Sequence, residues 1–93
     1  MSILHLVRTS AYQQDDLAQC LDVYSSEDTI VLMDDGCYNL EHTLLKKREN
    51  IQVLVITEHC LARAIAITNK NQAIALEKLT TLFFSYDSVL TWQ

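Results

Sequence analysis

The stretch Thr29-Ile30-Val31-Leu32-Met33-Asp34-Asp35-Gly36-Cys37 decides the fold of this chain. Its β-branched apolar run predicts a buried strand, and the carboxylates and glycine that follow mark the exit of that strand from a sheet. Gly36 is the only glycine among 93 residues. Glycine suits this exit because it accepts positive φ and lets the backbone pass close to a neighbour. The pattern from Tyr38 to Lys47 predicts a helix, so the segment forms a strand–turn–helix unit. In open α/β sheets, binding and catalytic residues lie outside the carboxyl ends of the strands, and we expect any functional site at this edge.

Strands and helices alternate along the rest of the chain. The other predicted strands are 3–7, 51–56, 73–76 and 89–92. The other predicted helices are one with the apolar stripe Leu17, Cys20, Leu21 and Tyr24, capped by Thr9 or Ser10; one from 58 to 67, capped by Thr57; and one at 77–84. Asn50 and the polar segments 25–28, 68–71 and 86–88 separate these elements. The alternation predicts a single small α/β domain over residues 1–93, with a mainly parallel sheet of four to five strands and helices on both faces.

Composition and charge exclude several classes of protein. The chain is 49% hydrophobic and 20% charged, which is typical of a globular fold. A net charge of −5 argues against direct nucleic-acid binding, which needs Lys and Arg against phosphates. We expect neither a secretory signal nor a membrane span, because there is no basic leader and no apolar run of about 20 residues. Three cysteines at scattered spacings are typical of reduced thiols in the cytoplasm.

Cys37 is the thiol with the strongest local argument for reactivity. Amide groups and the dipole at a helix N-terminus lower a thiol pKa, whereas Asp34 and Asp35 would raise it. The alternative is a small apolar residue buried under the helix. Cys60 also lies at a predicted helix start, beside His59, but adjacent helical residues point apart. We therefore interpret Cys60 as structural and His59 as a surface residue.

The remaining chemical motifs are weak. Cys20 lies on the apolar stripe of the first helix, so its pattern indicates a core residue. A zinc site can be imagined from Cys37, His42, His59 and Cys60, but no ligand spacing supports it. We expect no metal and no cofactor, since phosphate-loop and dinucleotide motifs are also missing from the sequence.

Asp34, Asp35 and Trp92 each have two interpretations. The two carboxylates could hold a metal or act as an acid–base pair, but the usual interpretation is one cap and one solvated side chain. Trp92 lies in the apolar segment Val89–Trp92. It either anchors this segment to the core or contacts a partner, because tryptophan is enriched at interface hot spots.

Three segments together resemble a known family. Leu4-His5-Leu6-Val7-Arg8-Thr9-Ser10 is similar to a His-Thr-Leu-x-Arg-Ser opening, Leu32-Met33-Asp34-Asp35-Gly36-Cys37-Tyr38 to Leu-Leu-Gln-Asp-Gly-Val-Tyr, and Leu61-Ala62-Arg63-Ala64 to an Ala-Arg-Gly segment. In this order they resemble, over nearly the whole chain, the TusB/DsrH family of the DsrE-like superfamily. The residues that carry the resemblance are His5, Arg8, Ser10, Asp35, Gly36, Arg63 and Trp92. Cys37, His59 and Ala64 depart from the family pattern, which usually has an apolar residue, an acidic residue and a glycine there.

The resemblance implies a DsrE-like fold and a cytoplasmic subunit of a heterohexamer with two copies each of three related subunits. Such complexes pass persulfide sulfur between proteins, toward thiolation of the tRNA wobble uridine in the Tus branch and toward sulfur oxidation in the Dsr branch. The implied partners are sister subunits of the TusC/TusD or DsrF/DsrE type and a downstream sulfur carrier of the TusE/DsrC type. The principal persulfide cysteine belongs to TusD or DsrE, so the Tus-type B subunit is non-catalytic. The Dsr-type H subunit carries a cysteine on its first helix, where Cys20 lies here.

Three hypotheses of function follow. The first is an accessory assembly subunit without a complete active site, which contacts its sisters through apolar helix faces and the Val89–Trp92 segment. The second is a sulfurtransferase subunit that carries persulfide on Cys20, Cys37 or Cys60, which requires an exposed thiol of lowered pKa. The third is a stand-alone homo-oligomeric module.

Overall fold

The computed structural model describes residues 1–48, 50–67, 69 and 72–93, and these contain one five-stranded sheet. The strands are β1 (Ile3–Val7), β2 (Thr29–Leu32), β3 (Val53–Ile56), β4 (Ala73–Ile74) and β5 (Ser88–Trp92). They lie in the order β4-β3-β2-β1-β5, and all four pairs of neighbours are parallel. The predicted α/β fold with a mainly parallel sheet is confirmed.

Helices cover both faces of the sheet, as predicted. They are α1 (Asp16–Val23), α2 (Thr43–Lys46), α3 (Thr57–Ala62) and α4 (Leu79–Phe83), with 3₁₀ helices at Asp34–Glu41 and Leu76–Lys78. From β1 to β4 the chain moves in one direction across the sheet, so right-handed crossovers place their helices on the same face. The connection from β4 to β5 runs back past β1, and α4 therefore covers the opposite face.

Each face of the sheet has its own apolar cluster. The face under α1, α2 and α3 buries Val7, Leu17, Cys20, Leu21, Ile30, Leu32, Cys37, Val55 and Cys60. The face under α4 buries Leu4, Leu6, Val31, Ile56 and Leu79. All four residues of β2 are buried, as expected for a central parallel strand that is covered on both sides.

The helix predicted from Tyr38 to Lys47 is wrong in form. The chain enters a 3₁₀ helix directly after β2 and leaves it at His42, which has extended dihedral angles (φ −71°, ψ 143°). The Nδ1 atom of His42 then accepts a hydrogen bond from the N–H of Leu44 (3.0 Å) and caps α2. The apolar spacing that suggested one helix therefore belongs to two short ones.

The predicted caps of α1 and α3 are also wrong. The N-cap of α1 is Asp15. The carbonyl of Ser10 instead accepts hydrogen bonds from the amides of Gln13 and Gln14 and closes a turn before the helix. Thr57 is the first residue of α3 and Ile56 is its N-cap. Hydroxyl side chains were predicted at both N-caps because Ser and Thr are among the preferred N-cap residues, but neither helix begins with such a cap.

The helix predicted at 58–67 ends early, at Ala62. Ala64 adopts a left-handed conformation with φ 54°. Its N–H donates to Leu61 O (3.2 Å), and the N–H of Ile65 donates to Cys60 O (2.9 Å). These two hydrogen bonds form a Schellman motif, which stops a helix and usually has glycine at the position of Ala64.

Three further predictions concern connections. Asn50, predicted to end the region before β3, has φ 64°, a conformation that asparagine tolerates well. The turn predicted at 68–71 contains Thr68, Lys70 and Asn71, which lie outside the described residues. The helix predicted at 77–84 is a 3₁₀ turn followed directly by α4.

Candidate functional site

Charged side chains gather where β1, β2 and β3 end. Because the strands are parallel, the residues that follow them meet at one edge of the sheet. Arg8 follows β1, Asp34 and Asp35 begin the 3₁₀ helix after β2, and His59 and Arg63 lie in and just after α3. We call these five residues the carboxyl-edge cluster.

Asp34 is the centre of the carboxyl-edge cluster. Its Oδ2 accepts a hydrogen bond from Arg8 Nε (2.7 Å), and its backbone N–H donates to His59 Nδ1 (2.9 Å). Because an amide can only donate, Nδ1 of His59 carries no proton in this arrangement. His59 is therefore a neutral acceptor that fixes the start of the 3₁₀ helix, rather than the freely exposed residue expected from sequence.

Asp35 and Arg63 form the second pair of the cluster. Arg63 Nε donates to Asp35 Oδ1 (3.0 Å), and Arg63 Nη1 donates to the carbonyl of His59 (3.3 Å). The hydrogen bond to Asp35 raises the pKa of the Arg63 guanidinium. The Asp35 side chain is 60% exposed, so this pair contributes little to stability. Two carboxylates and two guanidiniums are thus paired one to one, which makes the cluster a structural join between β1, the 3₁₀ helix and α3.

Gly36 allows the cluster to form. A Cβ atom at this position would lie 2.0 Å from the carbonyl oxygen of Val7 and 2.8 Å from its carbon. The close approach expected of this glycine is therefore correct, but the positive φ is not. Asp34 has the left-handed conformation instead (φ 50°), which a short polar residue tolerates.

A groove lies beside the cluster. Its volume is about 450 Å³, and its lining residues are Ser10, Tyr12, Gln13, Asp35 and Tyr38. The buried Asn39 holds the segment on either side of Ser10: Asn39 Oδ1 accepts from the N–H of Ala11 (2.7 Å), and Asn39 Nδ2 donates to the carbonyl of Thr9 (3.0 Å). The groove is open and partly aromatic, and it holds one family-motif carboxylate, Asp35.

All three cysteines lie in the core. Cys20, Cys37 and Cys60 are each 0% exposed, and all are free thiols in the cluster under α1–α3. Burial raises the pKa of the Cys20 thiol to about 12, with a smaller contribution from Asp28. Burial, together with a hydrogen bond to Cys60, raises the pKa of Cys37 to about 12. The Cys37 thiol donates to Leu32 O (3.6 Å), as a packed side chain does.

This placement decides what the thiols can do chemically. The thiolate is the form that attacks a donor persulfide, so a transfer site needs an accessible thiol of lowered pKa. The N-terminal effect proposed for Cys37 is outweighed by its burial, since the shift of its pKa is upward. In this conformation, neither Cys20 nor Cys37 has the exposure or the ionisation that transfer requires.

His5 and Trp92 form a second constellation, in the interior. The Nε1–H of Trp92 donates to His5 Nδ1 (3.1 Å), and His5 Nε2 lies 2.9 Å from Asp28 Oδ2. Trp92 is thus held to the core, in agreement with the anchor interpretation. The seven family-motif residues lie in three places: Arg8, Asp35, Gly36 and Arg63 at the carboxyl edge, His5 and Trp92 in the interior, and Ser10 in the lining of the groove.

Sequence reasoning missed two buried polar residues. Asp28, expected in a simple turn, is 1% exposed and accepts hydrogen bonds from Ile3 N, His5 Nε2 and both N and Oγ of Ser25. Asn39 was not singled out either. One signal for Asp28 was available in the sequence. His5 is a lone histidine in a predicted strand, and Asp28 is a carboxylate directly before the next strand, so the two could be expected to pair across a parallel sheet.

Within residues 1–48, 50–67, 69 and 72–93, no group of three His, Cys, Asp or Glu side chains could hold a metal ion. Over the same residues, no helix has the length and apolar character needed to cross a membrane.

Comparison with known proteins complements this geometry. A family model described as "DsrH like protein" matches residues 9–91, which is most of the chain. No curated protein matches the chain. The matched range includes the carboxyl-edge cluster except Arg8, and it extends almost to the end of β5. The chain therefore belongs to the DsrH-like family of sulfur-relay subunits.

Proposed function

We propose that this chain is an accessory, non-catalytic subunit of a cytoplasmic heterohexameric sulfur-relay complex. In this role it assembles with sister subunits of the TusC/TusD or DsrF/DsrE type and works with a carrier of the TusE/DsrC type. The sulfur that the complex passes on serves thiolation of the tRNA wobble uridine. The family match and the placement of the three thiols together support this proposal.

The burial of the cysteines is the observation that carries the proposal. A persulfide carrier must present its sulfur to two successive partners, so its thiol must be reached from outside. Cys20, Cys37 and Cys60 lie instead among aliphatic side chains of the sheet and helices. The carboxyl-edge cluster also offers no substitute thiol, because its side chains are two carboxylates, two guanidiniums and one imidazole.

The surface suits an assembly subunit. Phe84 is 91% exposed and Leu61 is 71% exposed, and further exposed apolar side chains lie on β5 and near the groove. A partner subunit would cover such side chains wherever they belong to a contiguous apolar patch, which is the kind of surface that binds other proteins. The net charge of −5 disfavours contact with tRNA phosphates, so a role through protein partners is favoured.

Coexpression tests the assembly role. The chain is expressed with its sister subunits, and the size of the purified product is measured by light scattering. We expect a stable mixed complex that contains this chain. Substitution of Phe84 or Leu61 by Asp should weaken recovery of the complex, whereas Gln19→Asp on the exposed surface of α1 should not. Recovery of this chain free of its sisters at every concentration contradicts the proposal.

Persulfide loading tests the rival role as a sulfur carrier on Cys20, Cys37 or Cys60. The assembled complex is treated with a persulfide donor, and the chain is analysed by intact mass spectrometry with single Cys→Ser variants. We expect no added sulfur on this chain, while the sister subunit that carries the principal cysteine gains it. An added sulfur that disappears in just one of the three Cys→Ser variants would instead establish the carrier role and identify its cysteine.

A further inference from the structure

The outer side of β5 is an open strand edge. Ser88 N–H donates to Ser2 O (3.2 Å), and Trp92 O accepts from Arg8 N–H (3.1 Å), so these two residues direct their backbone groups toward β1. In a parallel ladder, alternate residues of a strand bond to the same neighbour. Val89 and Thr91 therefore direct their N–H and C=O groups away from the sheet.

This edge lacks the usual protection against pairing. Natural edge strands are interrupted by proline, bulges or charged side chains, or are very short. β5 is Ser-Val-Leu-Thr-Trp, with neither a charge nor a proline, and it pairs with β1 in continuous register over five residues. Val89 and Leu90 are 39% and 42% exposed. The opposite edge, β4, has only two residues and offers far less.

We infer that two copies of this chain pair antiparallel through β5, about a two-fold axis at Leu90. Such a pairing places Val89 of each copy opposite Thr91 of the other. Each of the two Val89–Thr91 pairs then exchanges two backbone hydrogen bonds, four in all, because the N–H and C=O groups of Val89 and Thr91 point outward. An axis at Val89 or at Thr91 would leave only one such pair within the strand. The free backbone groups therefore select the register.

Side chains and charges suit the same register. Val89 and Thr91 form β-branched cross-strand pairs, which favour sheet pairing, and Leu90 meets its copy in the close, non-hydrogen-bonded position. Asp87 of one copy comes opposite Gln93 of the other. Arg8 Nη1 donates to the side chain of Gln93 (3.0 Å), so each end of the interface brings a carboxylate toward an arginine. This complementarity partly offsets repulsion between two copies of charge −5.

The strand is held in place before it pairs. The hydrogen bond from Trp92 to His5 fixes the end of β5 on the sheet, which lowers the entropy cost of association. Five residues per copy make a small interface, and we expect a weak dimer whose population depends on concentration. The inference does not rest on sulfur transfer, since it concerns the chain alone.

Hydrogen exchange by NMR tests the pairing directly. Amide exchange is compared at about 50 µM and about 1 mM protein, with sedimentation velocity at the same concentrations. We expect exchange at Val89 and Thr91 to slow by about threefold at the higher concentration, because the monomer fraction of a weak dimer falls by about that factor, together with a shift toward the dimer mass. The amides of Leu90 and Trp92, which bond to β1, should be protected at both concentrations.

Two variants separate edge pairing from other association. Thr91→Pro removes an outward N–H and leaves the bonds to β1 intact, and Val89→Lys adds a charge at the edge. Either should weaken dimerisation by about tenfold or more. Val23→Lys, at an exposed valine on α1, should not. If Thr91→Pro fails to fold, Val89→Lys decides. A monomer at about 1 mM, a dimer unaffected by Val89→Lys, or protection only with a sister subunit would overturn the inference.

Discussion

The indole N–H of Trp92 donates to Nδ1 of His5 across 3.1 Å, and this contact fixes the protonation of a fully buried histidine. A tryptophan N–H can only donate, so Nδ1 must hold its lone pair. The proton of the neutral ring then lies on Nε2, which donates to Asp28 Oδ2 (2.9 Å). β5, β1 and the segment before β2 are thereby joined by one directional chain of hydrogen bonds.

Trp92→Phe breaks this chain at its first donor. The substitution leaves Nδ1 of His5 buried without a partner, and we expect a loss of about 1–3 kcal/mol in the free energy of unfolding. Urea denaturation followed by circular dichroism measures the loss, with Tyr38→Phe at an exposed aromatic as the control. In the wild type, ¹⁵N NMR at neutral pH should show the proton of His5 on Nε2. A proton on Nδ1 would show that the donor relationship is wrong.

Asp28 gives the protein an acid-sensitive point. Burial of its carboxylate favours the neutral form, but hydrogen bonds from His5, Ser25 and Ile3 outweigh this and hold the pKa of Asp28 below its ordinary value. A lowered pKa in the folded state means that the stabilisation is fully present above the ordinary Asp pKa of about 3.9. It is lost as the pH falls through the folded pKa.

We therefore expect urea unfolding to show stability that falls with pH below about 4. In Asp28→Asn this part of the pH dependence should be reduced, because the titrating group is gone. The variant should also lose about 3 kcal/mol at pH 7, since an amide places a donor where the carboxylate accepts from four. Asp22→Asn, at an exposed position of α1, is the control. If Asp28→Asn does not fold, the carboxyl ¹³C titration of Asp28 in the wild type decides; an ordinary or raised pKa contradicts the prediction.

The strands and their succession along the chain could be predicted because β-branched apolar runs and their alternation with helices are local signals. The gathering of charged residues at the carboxyl edge follows from the same topology. Individual pairs could not be predicted in this way: Arg8 chooses Asp34 and Arg63 chooses Asp35 through side-chain geometry that spacing does not encode. Two partners of Asp28, Ile3 and His5, lie more than 20 residues away in β1, whereas Ser25 is local, so a local interpretation as a turn was natural.

The ends of helices were the least predictable feature. His42 caps α2 with a ring nitrogen, and Ala64 ends α3 in a conformation usually left to glycine. Neither residue type is a recognised signal for its position. Gly36 was interpreted correctly for close approach and wrongly for φ, because the left-handed conformation moved to Asp34, whose side chain is held by Arg8.

Gly36→Ala should be strongly destabilising. The added Cβ would meet the backbone carbonyl of Val7 at 2.0 Å, so β1 and the 3₁₀ helix would have to separate. We expect a cost of about 3 kcal/mol, at the upper end of overpacking penalties, measured by chemical denaturation. Asp35→Ala at the adjacent exposed position removes one ion pair and should cost less than about 1 kcal/mol. A stable Gly36→Ala protein would show that the two segments can separate freely.

Ala64→Gly should stabilise the protein. Ala64 holds φ 54° at the position of the Schellman motif where glycine is preferred, and its side chain is exposed, so little packing is lost. Relief of the left-handed strain outweighs the greater flexibility of glycine in the unfolded chain, and we expect a gain of about 1 kcal/mol in the free energy of unfolding. Ala62→Gly is a matched control, because Ala62 is also exposed but lies within α3. That substitution should cost about 0.5–1 kcal/mol. Glycine is expected to stabilise the protein only at a position with positive φ. If Ala64→Gly and Ala62→Gly change the free energy of unfolding equally in urea denaturation, the left-handed conformation at the end of α3 is contradicted.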